Sequence, residues 1–468
     1  MHSSRRSFLR HSAAVTAGFL GLDRHLALAA DPIQPWGPLK PDPHRILDLP
    51  EGFSYRVLSR AGDKMDDGFL TPGQPDGMAA FPGPDGSVIL VRNHELNFVG
   101  SSGYGPFKDN SKLPDDFDAS LCYAPGDGKK VAPHVGGTTT LVFDPATGRL
   151  KSHFLSLLGT DRNCAGGPTP WGSWITCEEP ADLVTGAQRR HGYCFEVPAT
   201  AKPGITPPVP LKDMGRFRHE AIAIHPASGV VYLTEDRGDG MIYRFLPKKP
   251  GSLAEGGRLQ ALKIRDRASV DTRNWPGDAE PFPQRSRLAV DWMDLEETDA
   301  PLDDLRLRGV AAGAARFSRG EGMWYGAASQ VGEETIYWCC TDGGKNQRGQ
   351  VFRYFPSPVE GQAGEKDQPG HLELYLEPND TDLLRNGDNL TVAPWGHLVI
   401  CEDTSGINQL RGVTNDGQIY TLGRNTLSET EFAGACFSPD GEWLFVNIMS
   451  PGTTLAITGP WRKPSQTV

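Results

Sequence analysis

The stretch Arg218-His219-Glu220-Ala221-Ile222-Ala223-Ile224-His225-Pro226-Ala227-Ser228-Gly229-Val230-Val231-Tyr232-Leu233-Thr234-Glu235-Asp236-Arg237 decides how the rest of the chain is read. Two short apolar runs, 221–224 and 230–233, flank a Pro/Ser/Gly turn, the pattern of a β-hairpin. His219 and Glu220 stand just before the first run, and Glu235, Asp236 and Arg237 just after the second. In an antiparallel pair the start of one strand and the end of the next share a rim, so the hairpin gathers these charges. One isolated copy would be a hairpin with solvated ends. The pattern recurs, and the recurrence sets the fold.

Gly172-Ser-Trp-Ile-Thr-Cys-Glu178 and Gly396-His-Leu-Val-Ile-Cys-Glu402 match Gly229-Val-Val-Tyr-Leu-Thr-Glu235. Gly441-Glu-Trp-Leu-Phe-Val-Asn447 ends on Asn at the same place, Gly86-Ser-Val-Ile-Leu-Val-Arg92 leads into Asn93-His94-Glu95, and the run 335–340 leads into Thr341-Asp342-Gly343. The first strands also begin alike, around Asp76, Cys164, Glu220, Glu321, Asp388 and Gly434. Outer strands follow several copies, at 192–197, 240–245, 349–355 and 417–422. An all-β, six-bladed β-propeller is the economical arrangement, with all rims converging on one axis. A pair of packed sandwiches would not gather six equivalent ends. The expectation is a single propeller domain over 31–468, with insertions near 96–135 and 246–315 laid over one face. Local helical character is confined to 294–308 and 380–385.

At the start of the chain, Ser4-Arg5-Arg6-Ser7-Phe8-Leu9-Arg10, an apolar run over 13–22 and Ala27-Leu28-Ala29 make an export signal over 1–30. The pair Arg5 and Arg6 favours the twin-arginine route, so a periplasmic or extracellular protein is expected, with that export machinery as a partner. The route carries folded proteins, often with a cofactor already loaded, which is a first hint of a metal centre. No other run approaches the ~20 apolar residues of a membrane span, and no stable membrane insertion is expected. Net charge is −11, and the signal holds four arginines and one aspartate, leaving −14 on the mature chain. Such acidity argues against nucleic acid as a partner. A monomer is expected. Eight cysteines in an exported chain raise the question of disulfides, but folding before export takes place in a reducing compartment. With no C-x-x-C pair, most read as buried small hydrophobes.

Collected on one rim, Glu95, Glu178, Glu179, Glu220, Glu235, Asp236, Glu321, Asp342, Asp388, Glu402 and Asp403 repel one another unless cations neutralise them. The alternative is a rim paired with Arg92, Arg218, Arg237 and Arg319, which the acids outnumber. By their common offset of six from a turn glycine, Glu178, Glu235 and Glu402 should face one way, toward the axis, and strand alternation turns their neighbours aside. Oxygen-only shells suit calcium. Cys164 stands where its repeat equivalents are Glu220 and Glu321, and a thiolate suits a transition metal instead. A site holding iron-type ions beside calcium accounts for one sulfur among many oxygens. Arg218 and Arg319, two residues before Glu220 and Glu321, suit an oxyanion, phosphate above all. The chain has no P-loop, nucleophile elbow or Rossmann fingerprint. Metal-assisted hydrolysis of a phosphate ester is the leading reaction class.

Asn93-His94-Glu95, Asn163-Cys-Ala-Gly-Gly-Pro-Thr-Pro-Trp171, Thr176-Cys-Glu-Glu179, Arg218-His-Glu220, Thr234-Glu-Asp-Arg237, Arg319-Gly-Glu-Gly322, Asp388-Asn-Leu-Thr-Val-Ala-Pro-Trp395 and Phe437-Ser-Pro-Asp-Gly441, together with the twin-arginine signal, resemble the PhoX-type bacterial alkaline phosphatases over nearly the whole mature chain. The resemblance implies a periplasmic propeller releasing phosphate from small phosphomonoesters. It implies a cluster of two ferric irons (Fe3+) and three calcium ions (Ca2+) joined by a bridging oxo group. Cys164, Glu220 and Glu321 stand in the motifs that hold the irons. Acids of the Glu-Glu, Glu-Asp and Asp-Asn motifs would complete the calcium shells. The expected metal set is therefore Cys164, Glu220, Glu321, Glu95, Glu178, Glu179, Glu235, Asp388 and Glu402. The expected catalytic set is Arg319, Arg218 and Asn93. Two other readings stand beside it. A calcium-dependent lactonase or organophosphate hydrolase propeller would use one calcium and a His base, giving Cys164 no role. A non-enzymatic periplasmic binding propeller would use calcium for structure alone.

Overall fold

All six hairpins form. The computed structural model describes residues 33–98, 102–181, 189–278, 280–380 and 382–461; the export signal expected over 1–30 lies outside them. Inner strands Pro75–Pro82, Asn163–Pro168, His219–Ile224, Gly320–Gly326, Gly387–Val392 and Phe432–Phe437 each pair antiparallel with the strand that follows. Those second strands are Val88–His94, Ser173–Glu178, Val231–Glu235, Thr335–Cys340, Leu398–Glu402 and Trp443–Ile448. They are buried on both faces, which is why they read as nearly continuous apolar runs. Each inner strand packs on the inner strand of the next hairpin, and the last packs on the first. The result is a closed, propeller-like arrangement of sheets.

The chain ends are stitched together at the outside. Ser54–Arg60 pairs with Thr453–Thr458, and Leu47–Pro50 pairs with Ile419–Asn425. Between neighbouring sheets the core is apolar, as where Ile175 of one sheet meets Ile222, Leu233 and Tyr243 of the next. All eight cysteines are buried and free. Among the described residues, no helix is long and apolar enough to cross a membrane.

Several boundaries differ from expectation. The third strand after Leu398–Glu402 is Gln409–Val413, and the run 417–422 belongs to a fourth strand, Ile419–Asn425. The insertion near 246–315 is more than a loop over one face. Its strands Gly257–Ile264 and Leu288–Asp294 extend one sheet outward, and Leu288–Asp294 also pairs with His371–Leu376 of the next. Two neighbouring sheets thereby merge into one of nine strands. Leu262, Ile264 and Val290 gain burial from that join, which gives the insertion its own reason to be sheet. It reaches the inner rim at two places: Arg273 Nη1 and Trp275 Nε1 donate to the Gly238 and Asp342 carbonyls at 2.9 and 2.8 Å, and its last part meets Arg237. There the helix Leu305–Ala311, shorter than the helical run expected, follows Asp303, which pairs with Arg237. No helix lies within 380–385 among the described residues.

Candidate metal centre

Every inner strand carries a β-bulge at the same place. In Asn163–Pro168 the register slips between Asn163 and Gly166, so Cys164 and Ala165 together oppose Cys177. Equivalent slips occur between Pro75 and Met78, His219 and Ile222, Gly320 and Met323, Gly387 and Leu390, and Ala433 and Cys436. A bulge adds one residue to a strand and re-aims its side chain. The first residue of the six bulges is Asp76, Cys164, Glu220, Glu321, Asp388 and Gly434 in turn. Five potential ligands and one glycine are thus delivered by a single backbone device. Neighbouring bulges nest closely: a Cβ on Gly322 would lie 2.6 Å from the Asn389 Cα and 2.8 Å from the Asp388 carbonyl oxygen.

The side chains meet in three overlapping groups, Asp76 with Glu95 and Cys164, Cys164 with Glu179 and Glu220, and Glu220 with Glu321 and Asp388. In each, one ligand atom per residue lies within 4.8 Å of the others. The Cys164 Sγ is 3.0 Å from Glu220 Oε1 and 3.9 Å from Asp76 Oδ2. Buried oxygens of Asp76 (Oδ1), Glu220 (Oε2) and Asp388 (Oδ1) have no hydrogen-bond partner among the described residues. Carboxylate oxygens left this way are costly unless a cation or proton sits among them. Burial first, then mutual repulsion, pushes the carboxyls of Asp76, Glu179, Glu220 and Glu321 well above their usual range. Burial, and next the Glu220 charge, raises the Cys164 thiol. The donor set fits bound metal: cations would neutralise the acids and satisfy the orphaned oxygens together.

Arginines border the acids. Arg319 donates from Nε to Asp236 Oδ1 at 2.8 Å and from Nη2 to Glu321 Oε1 at 2.6 Å. Burial opposes ionisation of Asp236, yet the Arg319 charge holds its carboxyl below the usual range. Arg218 Nη1 lies 4.0 Å from Asp236 Oδ2. Arg162, not singled out from the sequence, donates from Nε and Nη2 to Glu95 Oε1 at 3.2 and 3.0 Å. Its Nη2 is also 2.5 Å from Glu179 Oε2.

Four expected site residues do not face this centre. Glu178, Glu235 and Glu402 do point the same way, but into their own sheets. Glu178 accepts backbone N–H bonds from Asp161, Gly192 and Tyr193 at 3.0, 2.9 and 3.3 Å, and contacts His191 Nδ1 at 2.6 Å. Glu235 accepts from the Met241 N–H at 3.1 Å and the Tyr243 hydroxyl at 2.7 Å. Glu402 accepts from the Arg385 and Gln409 N–H groups and from Arg411 Nε. Each closes the turn into a third strand. The next residues, Glu179, Asp236 and Asp403, alternate to the other side. Asn93 is fully buried: its Nδ2 donates to the Cys164 and Ala165 carbonyls at 3.0 and 2.7 Å, and its Oδ1 accepts from Trp174 Nε1. It holds the bulge in place from behind.

Glu178→Ala is accordingly expected to cost about 3 kcal/mol of stability, because three backbone donors lose a buried charged acceptor. Bound metal and KM should stay at wild-type values. Unchanged denaturant resistance together with lost metal would instead return Glu178 to the metal centre.

Glu431 also belongs near the acids: burial, then Asp403, Asp388 and Asp76, raises its carboxyl well above the usual range. It lies outside the repeat's offsets, so pattern could not find it. Arg162 could have been found, since it precedes Cys164 by the same two residues that separate Arg218 from Glu220 and Arg319 from Glu321.

The family model for alkaline phosphatase PhoX matches residues 34–452. The fold is similar to that of Pseudomonas fluorescens PhoX in complex with vanadate, a transition-state analogue, with a TM-score of 0.63 and 17% identity over 89% of this chain and 96% of that one. A gluconolactonase from Xanthomonas campestris aligns with a TM-score of 0.38 and 13% identity, over 92% of this chain and 100% of that one. Among curated proteins none matches the chain.

Proposed function

The chain belongs to the PhoX alkaline phosphatase family, and we propose that its central carboxylates and the Cys164 thiol hold the iron and calcium ions at which it hydrolyses phosphomonoesters. The family is one of metal-dependent, secreted phosphatases, and the protein is a phosphoric monoester hydrolase. One observation carries the assignment of residues: Cys164 is the one sulfur in the donor groups and is shared by two of the three. With Glu220 and Glu321 it would hold iron, which accepts sulfur and oxygen alike. Asp76, Glu95, Glu179 and Asp388, with Asp403 and Glu431 at the edge, would complete oxygen-only shells for calcium. When bound, the cations would neutralise the carboxylates and draw charge from a phosphoryl group.

The chain's own residues do the rest. Asp236 and Glu321 fix Arg319 along one edge of its guanidinium. The remaining donors suit phosphoryl oxygens and stabilise charge that builds on them during transfer. Arg218 stands beside the same Asp236. Asn93 holds the Cys164 backbone so that the thiol cannot drift from its position. Six blades in one domain over 31–468, a monomer, and export by the twin-arginine route with Arg5 and Arg6 complete the proposal. A single-calcium lactonase would leave Cys164 without a role, and so would a binding propeller whose calcium is purely structural.

Arg319→Ala tests the assignment of the phosphate site. Loss of one preorganised donor to the transition state should lower kcat/KM for p-nitrophenyl phosphate by about 10²–10³-fold, with bound metal retained. Activity within twofold of wild type would place the phosphate elsewhere.

A further inference from the structure

We infer that Arg162 is a further substrate-binding residue, gripping a phosphoryl oxygen from the hairpin two places before that of Arg319; this rests on the phosphatase reading above. Three consecutive inner strands have an arginine two residues before the bulge side chain: Arg162 before Cys164, Arg218 before Glu220, Arg319 before Glu321. At the matching positions of the other three stand Gln74, Asn386 and Phe432. Positive charge on this tier is therefore confined to one arc of the ring, and a dianionic ligand would be drawn to that arc.

Arg162 and Arg319 are close counterparts. Both have left-handed backbone, φ 46 and 44, as do Gln74 and Asn386. The carbonyl of each accepts an N–H from the residue after its own second strand, Glu179 at 3.2 Å and Thr341 at 3.1 Å. Each guanidinium reaches an acid at the end of the preceding hairpin, Glu95 for Arg162 and Asp236 for Arg319. Arg162 also reaches Glu179 and Arg319 also reaches Glu321, so Arg162 touches two acids of the central groups and Arg319 one. Both use Nε and Nη2 for these bonds, and neither Nη1 has a hydrogen bond among the described residues. The arginine side chains are 30% and 36% exposed, against 3% for Glu179 and 4% for Glu321. Each guanidinium thus lies on the solvent side of its carboxylate, with one edge committed and the other available to an oxyanion. Arg has five donors in a rigid fork, so holding acids with one edge does not prevent binding an anion with the other.

The competing role is a clamp that only holds Glu95 and Glu179 in place. Metal-loaded wild type, Arg162→Gln and Arg162→Lys separate the two. Arg162→Gln should raise both KM for p-nitrophenyl phosphate and Ki for inorganic phosphate by roughly tenfold or more, the scale of one lost charged hydrogen bond. Iron and calcium content should remain at wild-type values, kcat should fall less than kcat/KM, and Arg162→Lys should lie between, keeping charge without the fork. Unchanged KM and Ki would overturn the inference, as would loss of metal with KM unchanged in the active fraction. A wild type that hydrolyses no phosphomonoester would overturn the phosphatase reading instead.

Discussion

Cys164→Ala is expected to remove phosphomonoesterase activity while leaving the fold intact. The side chain is small and buried, so its loss removes one sulfur atom and leaves the bulge that carries it, which is held by Asn93 and by the pairing of Asn163 with Glu178. Two of the three donor groups lose a member, and what remains is oxygen alone. Oxygen shells retain calcium but hold a transition metal less well. Charge stabilisation of several kcal/mol rests on the bound metal, so the fall in kcat/KM should be roughly 10³-fold or more. Bound iron should fall with it, while the thermal transition of calcium-loaded protein should shift by only a few degrees. Cys164→Ser distinguishes shape from softness: it restores the volume with a hard donor and should not restore activity. A Cys164→Ala enzyme that retains its iron and its rate would remove the thiol from the account.

Stripping the metal with a chelator should abolish activity and destabilise the fold in a pH-dependent way. Without cations the acids are crowded: burial leads, and mutual repulsion follows, in raising Glu220 and Glu321 well above the usual 4.5 and Asp388 up to about 7. These folded-state values exceed those of the unfolded chain, so the folded form binds more protons. Its stability is then fully present below the unfolded values and is lost as pH rises through the raised ones. Metal-free protein should therefore lose stability steadily from about pH 4.5 to beyond pH 7. Metal-loaded protein should not, because the cations hold the same groups ionised in both ranges. Thermal unfolding with and without chelator, at pH 5 and pH 8, measures the difference. The gap should be wider at pH 8; a gap equal at both pH values would mean that the acids are not the cation ligands.

How far the sequence reaches follows from the same bulges. Hairpins were legible because turn glycines and apolar runs are local, and their recurrence pointed to a ring. The equivalence of Cys164 with Glu220 and Glu321 was legible for the same reason. Which of two adjacent acids faces the axis was not. Glu178 and Glu179 differ only in register, and register is a property of strand pairing that composition does not carry. The offset from the turn glycine marked Glu178, Glu235 and Glu402 as equivalent, correctly. It could not reveal that each caps a third strand while the bulge opposite opens the axis to the next residue. Asn93 fits the same lesson, since a motif beside the site holds the site's backbone. The joining of two sheets by Leu288–Asp294 was hidden because the segment lies in a Gly/Pro/charge-rich stretch whose sheet character depends on partners more than 20 residues away on one side and 70 on the other.

Elemental analysis of the protein purified after its own export, paired with its phosphomonoesterase rate, reads out which metals the ring axis holds and whether they carry the reaction. The five bulge side chains, with Glu95 and Glu179, predict iron and calcium together in each active chain, with activity rising in proportion to bound iron. Full activity in protein that carries calcium but no iron would mean that catalysis does not depend on iron held at Cys164.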